Sequence, residues 1–578
     1  MQHTANITSI PRSYLPKEFK ITDWATLEPH FKELLERSLA SKDELHQWLQ
    51  DISEVEAVVS EDAAWRQIRM TCDTENKELE AAFTFFVTEI QPKMQPYADK
   101  LNRKLVENEY TATLEGDAYQ VYLRTVKKNI ELFREENIPL QSEIAVLAQQ
   151  FGVINGKMGI EVQGQEYTLQ QAAKFLENPN RELREEVYRK IQERRLQDKD
   201  QLNELYSKLV ALRNNVAKNA GFPNYRDYKF ADLGRFDYKK EDCFQFHEAV
   251  KTSVRPLVDF IYDRKRQKLG LPTLRPWDTE AEPDGVKPLT PFATGEELVN
   301  KTIECFNRMN PFFGDCLTKM KEMGRFDLDS RKGKAPGGYN CPLPETGAPF
   351  IFMNAAGQMS DVTTMVHEGG HAIHSFLAHE LPLTAFKEYP MEIAEVASMA
   401  MELFSMEYWD VFFDNEDDLI RAKQHQLERV ITIFPWIATI DKFQHWVYEN
   451  PTHTLEEREE NWRSILNDYT SIAIDVSGLE GYRKTGWQRQ LHLYEVPFYY
   501  IEYGIAQLGA IGLWKQFKEN KETAVNNYIA ALQLGGTKTL PQLYEAAGLK
   551  FDFSPDHISE LMLFVQGEME KVTHPVVN

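Results

Sequence analysis

Ten residues carry the clearest chemistry in this chain: positions 365 to 374 read MVHEGGHAIH. His367 and His371 stand four apart, and on a helix that spacing puts two imidazoles on one face, one turn apart. Side chains so placed can reach one metal ion, and HExxH is a zinc-binding pattern. Glu368 is displaced around the helix from the shared face. Its natural use is to take a proton from a water that the metal activates. Val366, Ala372, Ile373, Phe376 and Leu377 make the helix apolar, which is the mark of a buried helix. Buried histidines and carboxylates need partners, and a metal supplies them. Gly369 and Gly370 each cost the helix about 1 kcal/mol relative to alanine, yet they let another backbone come close. The expected cofactor is Zn2+, one per chain.

A catalytic zinc takes three protein ligands and keeps one position open. The next apolar helical stretch, EIAEVASMAME at 392 to 402, offers Glu392, Glu395 and Glu402 on one face. Spacing alone leaves all three open. Later the chain reads HLYEVPFYYIEYG from His492 to Gly504. Pro497 suits a helix start, and Tyr499 and Tyr503 then fall one turn apart, with Tyr500 as a competitor. Phenols and a histidine close to zinc can donate hydrogen bonds to the oxyanion of a tetrahedral intermediate. The segment RKGKAPGGYN at 331 to 340 lacks the GxxxxGK[ST] of a phosphate loop. It reads instead as a glycine-rich loop bordering a cleft.

The elements that position these groups are mostly helices. Residues 20 to 150 show apolar and charged residues at helical spacing. At 151 to 168 Asn155-Gly156 lies between short β-prone runs, a hairpin signal. Thr168, with Gln171 three residues on, then opens another helix. The proline-rich stretch 265 to 296 predicts a long surface connection or a lid. Two short runs, at Tyr339–Cys341 and Phe350–Met353, flank a Pro/Gly turn and predict a small β element. From 357 the pattern is helical again. The fold class is therefore mainly α, with a soft boundary near 180 to 190.

Composition narrows the functions. Hydrophobic residues make up 42% of 578, enough for a large core. The formal net charge of −23 disfavours nucleic acid and anionic membrane as partners. Residues 1 to 19 show no basic start followed by an apolar run, and no stretch is long and apolar enough to span a bilayer. Five scattered cysteines without a CxxC pair argue against disulfides. A cytoplasmic location is the default expectation.

HEGGHAIH followed by AEVASMAME resembles peptidase family M3, the thimet oligopeptidase and oligoendopeptidase F group. Leu274-Arg275-Pro276-Trp277-Asp278, Phe326-Asp327-Leu328 and Arg331-Lys332-Gly333-Lys334 are similar to the same group, over about 200 to 570. The first 190 residues resemble its helical N-terminal region more weakly. The resemblance implies that Glu395, with Ser398 beside it, is the third ligand. It makes Glu402 a carboxylate that orients a ligand histidine and gives His374 a supporting part. It gives His492, Tyr499 and Tyr503 the oxyanion. Gly337, Gly338, Tyr339 and Tyr500 would meet substrate, and residues 349 to 354 would pair with an extended peptide. The implied fold is a two-lobed helical zincin-type body with a small sheet near the site and a deep, narrow channel. An N-terminal region, 1–190, would precede a catalytic domain, 191–578. The implied activity is zinc-dependent endopeptidase action on oligopeptides. Two other readings stay open: a metallocarboxypeptidase and a catalytically silent peptide-binding protein. Oligomeric state is not legible.

Overall fold

A computed structural model describes residues 11–573 apart from 284, 332 and 336. The first ten residues of the segment read for a targeting signal fall outside it, as does Lys332 of the glycine-rich loop. The architecture is mainly helical. Helix α1 (Lys42–Cys72) begins at Ser41, whose side chain accepts from the Glu44 N–H. Strands β1 (Gly159–Val162) and β2 (Gln165–Thr168) form an antiparallel hairpin. Its turn is Gln163-Gly164, both with positive φ (53° and 81°), as a two-residue hairpin of primed type requires. The expected turn at Asn155-Gly156 instead ends the preceding helix, Asn137–Gly156. Thr168 and Gln171 do form the capping box of the next helix.

A second sheet holds β3 (Phe326–Asp329), β4 (Tyr339–Cys341) and β5 (Phe350–Ala355) in the order β3-β5-β4. β5 runs parallel to β3 and antiparallel to β4. β5 is therefore the central strand, and over Ile351 and Phe352 it is paired with β4 on one side and β3 on the other, so that part of 349 to 354 offers a peptide no open edge. β4 keeps a free edge. After the sheet come helices α2 (Met359–Ala378), α3 (Met391–Ser405), α4 (Glu416–Glu449), α5 (Tyr500–Glu519) and α6 (Lys521–Leu532). No described helix is long and apolar enough to cross a membrane.

The apolar interior is divided. One core draws on Leu15 to Val126 and borrows Leu383 and Phe386. A larger one starts at Leu132 and takes in α2 to α6. Helix 137–156 and the β1–β2 hairpin belong to the larger core, so packing runs on across residue 190. A small third cluster, Ile68 with Leu343, Phe350 and Phe352, seats the end of α1 on the second sheet. The 265 to 296 stretch is irregular as expected, but it is not simply a surface connection. Leu274, Trp277 and Asp278 are buried, and Asp278 is held by Arg181 and Arg184, each at 2.8 Å.

Candidate metal centre and active site

α2 carries His367, Glu368 and His371, and α3 carries Glu392, Glu395 and Glu402. The two helices touch at Gly370. A Cβ there would meet the Ala397 carbonyl oxygen at 2.5 Å and the Ser398 Cα at 2.6 Å, so only glycine permits this approach. The neighbouring Gly369 faces the ring of Phe306, where a Cβ would meet the ring at 2.8 Å. Close packing is what brings the acids of α3 to the histidines of α2.

The three acids left open by spacing separate cleanly. One carboxylate oxygen of Glu395 lies 3.3 Å from His367 Nε2 and 3.7 Å from His371 Nε2. Glu402 instead meets the other side of His367, its Oε1 2.7 Å from Nδ1, while its Oε2 accepts from Gln426 at 2.8 Å. Glu392 is turned to Tyr238, whose hydroxyl donates to it at 2.6 Å, and to Arg235. The ligand atoms of His367, His371 and Glu395 all lie within 4.8 Å of one another. Ser398 Oγ donates to Glu395 at 3.1 Å and Tyr499 OH at 2.7 Å, so the carboxylate is fixed from two sides.

Electrostatics follow from burial and crowding. Burial would raise the Glu395 pKa, but the imidazoles and the Tyr499 hydroxyl outweigh it and hold it at about 2. Burial would lower His367, yet its contacts with Glu395 and Glu402 raise it well above the ordinary value. Burial brings His371 down to about 4. Burial also lifts Glu368 to about 7. Two histidine nitrogens and one carboxylate oxygen, with a second carboxylate behind one histidine, form a donor set suited to a catalytic zinc.

These groups open on a cavity of about 550 Å³. Ser60 of α1 lines it, so it lies where the N-terminal core meets the larger one. Glu368, Glu395, Tyr499 and Tyr503 line it too, as do Gly338 and Tyr339 at the start of β4. Tyr339 stacks on Phe352 and shares a 2.6 Å hydrogen bond with Thr71 of α1. Gly337 lies just outside, at φ 97°, its carbonyl accepting from Asn354.

The tyrosine cluster is preceded by a strained residue. Phe498 sits at φ 66°, which a bulky side chain rarely adopts. Its N–H donates to Gln444 at 2.6 Å and its carbonyl accepts from Arg235. α5 consequently starts at Tyr500, three residues after Pro497, with Tyr499 as its cap. His492 Nε2 lies 3.3 Å from Tyr503 OH, and its Nδ1 lies 2.7 Å from Gln490. Burial holds His492 down at about 4, and keeps both phenols protonated far above neutrality. Tyr500 packs against His492 and Tyr503 and is not among the residues lining the cavity.

His374 is buried and stacks on Tyr389, ring centroids 3.5 Å apart. Neither of its ring nitrogens hydrogen-bonds His367, His371 or Glu395, so any support it gives is through packing. Several lining residues escaped sequence reasoning: Asn340, which donates to the Glu368 carbonyl at 3.3 Å, and His379, Lys387 and Glu388. No local motif marks them. A second set of metal-capable side chains, Cys243, Asp441 and His445, is wholly buried. There Asp441 pairs with His247 at 2.8 Å and His445 at 3.2 Å, joining helix Lys240–Ala249 to α4.

Residues 174–563 match the model of peptidase family M3, and residues 16–133 match a peptidase M3 N-terminal domain. The chain belongs to peptidase family M3. It is similar to an oligoendopeptidase F homolog of Borreliella burgdorferi, at 24% identity over 63% of this chain and 61% of that one. It is also similar to oligopeptidase PepF of Bacillus subtilis, at 24% identity over 68% and 59%. The matches thus span about three fifths of these relatives' lengths. A solved structure of PZ peptidase A with an inhibitor covers 97% of this chain and is itself covered to 99%, with 26% identity and a TM-score of 0.91. Another, provisionally assigned to oligoendopeptidase F, gives 29% identity and a TM-score of 0.89 over 98% and 99%. The mainly helical fold is the M3 fold.

Proposed function

We propose that this protein is a zinc-dependent endopeptidase that hydrolyses internal bonds of oligopeptides. One observation carries the reading: a single Glu395 oxygen faces the Nε2 atoms of both His367 and His371, with Glu368 beside them in the same cavity. The family membership and the names of the relatives support it.

Zinc held by His367, His371 and Glu395 would supply Lewis-acid polarisation of water and of the peptide carbonyl. Glu402 accepts the Nδ1 proton of His367 and so leaves Nε2 as the free donor. Glu368, lifted to about 7, takes a proton from the attacking water and returns it to the leaving amine. Tyr503, kept as a phenol, lines the cavity and offers its hydroxyl to the oxyanion, while Tyr499 gives its hydroxyl to Glu395 and His492 stands behind Tyr503, 3.3 Å from its hydroxyl. The free edge of β4, with Gly338 and Tyr339 at its start, can receive an extended peptide as an added strand. Substrates are oligopeptides, because the catalytic groups lie inside a cavity rather than on an open face. Five cysteines without a disulfide fit a reducing compartment, and we place the protein in the cytoplasm.

The test is an internally quenched peptide of about ten residues, blocked at both ends, given to zinc-loaded wild type and Glu368→Ala. Product masses should show internal cleavage that disappears in the variant while bound zinc persists. Trimming only of peptides with a free C-terminus would instead support a carboxypeptidase. No hydrolysis by zinc-loaded protein would favour a silent binder.

A further inference from the structure

Away from the catalytic cavity, two helices meet with matching pairs of metal-capable side chains. Cys243 and His247 stand four apart on helix Lys240–Ala249, and Asp441 and His445 stand four apart on α4. Each spacing puts its pair on one helix face, one turn apart. The ligand atoms of Cys243, Asp441 and His445 all lie within 4.8 Å of one another. His247 Nε2 lies 2.8 Å from Asp441 Oδ2. Bulk solvent does not reach the cluster: Asp441 is 0% exposed, and Cys243, His247 and His445 are each 2% exposed. None of the four lines the catalytic cavity.

A hydrogen-bonded network explains only part of this arrangement. The bond between His247 and Asp441 is well formed. His445 Nε2 comes within 3.2 Å of Asp441 Oδ2 but out of hydrogen-bond alignment, so neither of its ring nitrogens has a hydrogen-bond partner. Asp441 Oδ1 has none either. Among the described residues the Cys243 thiol, free of any disulfide, makes no hydrogen bond. Instead of polar groups, the rings of Phe244 and Phe498 pack on His445, with centroids 4.9 Å and 5.4 Å away. Buried polar atoms left unpaired are costly, and one ion among them would engage all three side chains. A thiolate and a carboxylate together cancel the charge of a divalent cation, so the filled site is neutral, as a buried site needs. Sulfur beside imidazole nitrogen and a carboxylate oxygen selects zinc over calcium or magnesium.

We propose that Cys243, Asp441 and His445 hold a structural zinc ion, separate from the catalytic one, and that His247, now one hydrogen bond away on Asp441, completes the four donors of a closed site. Binding exchanges the thiol proton of Cys243 for the metal. Because the site is closed, the ion is taken up as the chain folds. Its position gives it a task. Gln444, next to His445, accepts from the Phe498 N–H at 2.6 Å, and the Phe498 ring rests on His445. The ion thus locks two helices beneath the strained residue that precedes Tyr499.

The test counts metal and reads sulfur. Full-length protein is produced in zinc- or cobalt-supplemented medium, so that the ion is present while the chain folds. Zinc-grown wild type should hold two ions per chain by elemental analysis, and His367→Ala should hold one. Cobalt-grown wild type should show sulfur-to-cobalt charge-transfer absorption in the near ultraviolet. The catalytic donors His367, His371 and Glu395 include no sulfur, so this band does not come from them. It should survive in His367→Ala and disappear in Cys243→Ser, whose folding is checked by circular dichroism. A single zinc per chain in zinc-grown wild type, or no sulfur band in cobalt-grown wild type, overturns the proposal without any variant of the new site. A band that persists in Cys243→Ser belongs to another cysteine and overturns it as well. Neither readout involves hydrolysis, so the outcome is independent of the peptidase reading.

Discussion

Glu402 and Glu368 are both buried carboxylates beside the same histidine, yet their surroundings divide the work. Glu402 is held by His367 and Gln426 and stays below the ordinary range, although burial opposes this. Glu368 has no such partners, and burial lifts it. Replacing Glu402 with alanine should leave His367 without its Nδ1 acceptor and weaken zinc binding by about 10- to 100-fold. Chelator competition measures that, and unchanged affinity would remove the orienting role. Glu368→Gln should keep the metal and lose about 10²- to 10⁴-fold in kcat, measured with the quenched peptide. The two histidines and Glu368 were legible because HExxH is local. The third position was legible only through the family resemblance, which pointed to Glu395. Spacing alone puts Glu392, Glu395 and Glu402 on one face, and it takes their partners, Tyr238 for Glu392 and His367 Nδ1 with Gln426 for Glu402, to tell them apart.

Between residue and fold, the contact of α2 with α3 decides whether the site forms. Gly370 is the point of closest approach, and a methyl group there would press on the α3 backbone rather than on a movable side chain. Gly370→Ala gains about 1 kcal/mol of helix propensity. It should nevertheless lower stability by about 1–3 kcal/mol, since overpacking against backbone is not easily relieved. Urea unfolding reads the sign, and zinc affinity should fall with it as Glu395 is pushed away. A stabilised variant would refute the close-contact argument. Elements were unevenly legible. The 339–341 and 350–353 runs read correctly as strands, but strand order is a tertiary property, and nothing local reveals that β5 is central. Asn155-Gly156 gave a strong turn signal that lost to the helix Asn137–Gly156, where Phe151 and Ile154 are buried in the larger core.

At the scale of the whole molecule, the irregular stretch around Trp277 is held by one buried acid. Asp278 accepts from Arg181 and Arg184 and from the Arg275 N–H at 2.9 Å. It thereby ties helix Arg181–Gln197 to a segment far along the chain. Proline-rich composition suggested only an exposed connection, because composition cannot show a long-range ion pair. Burial alone would raise the Asp278 pKa, but the arginines outweigh it and depress it. A carboxylate depressed in the folded state contributes stability above its unfolded pKa of about 4. That contribution is lost as pH falls through the folded value. Asp278→Asn cannot titrate, so its urea midpoint should fall less steeply than that of wild type between about pH 5 and pH 3. At neutral pH the same variant should be less stable by about 3–5 kcal/mol, as Arg184 keeps its buried charge without a partner. Parallel pH slopes for the two proteins would show that Asp278 does not carry this linkage, and that the segment is held by the apolar contacts of Leu274 and Trp277 instead.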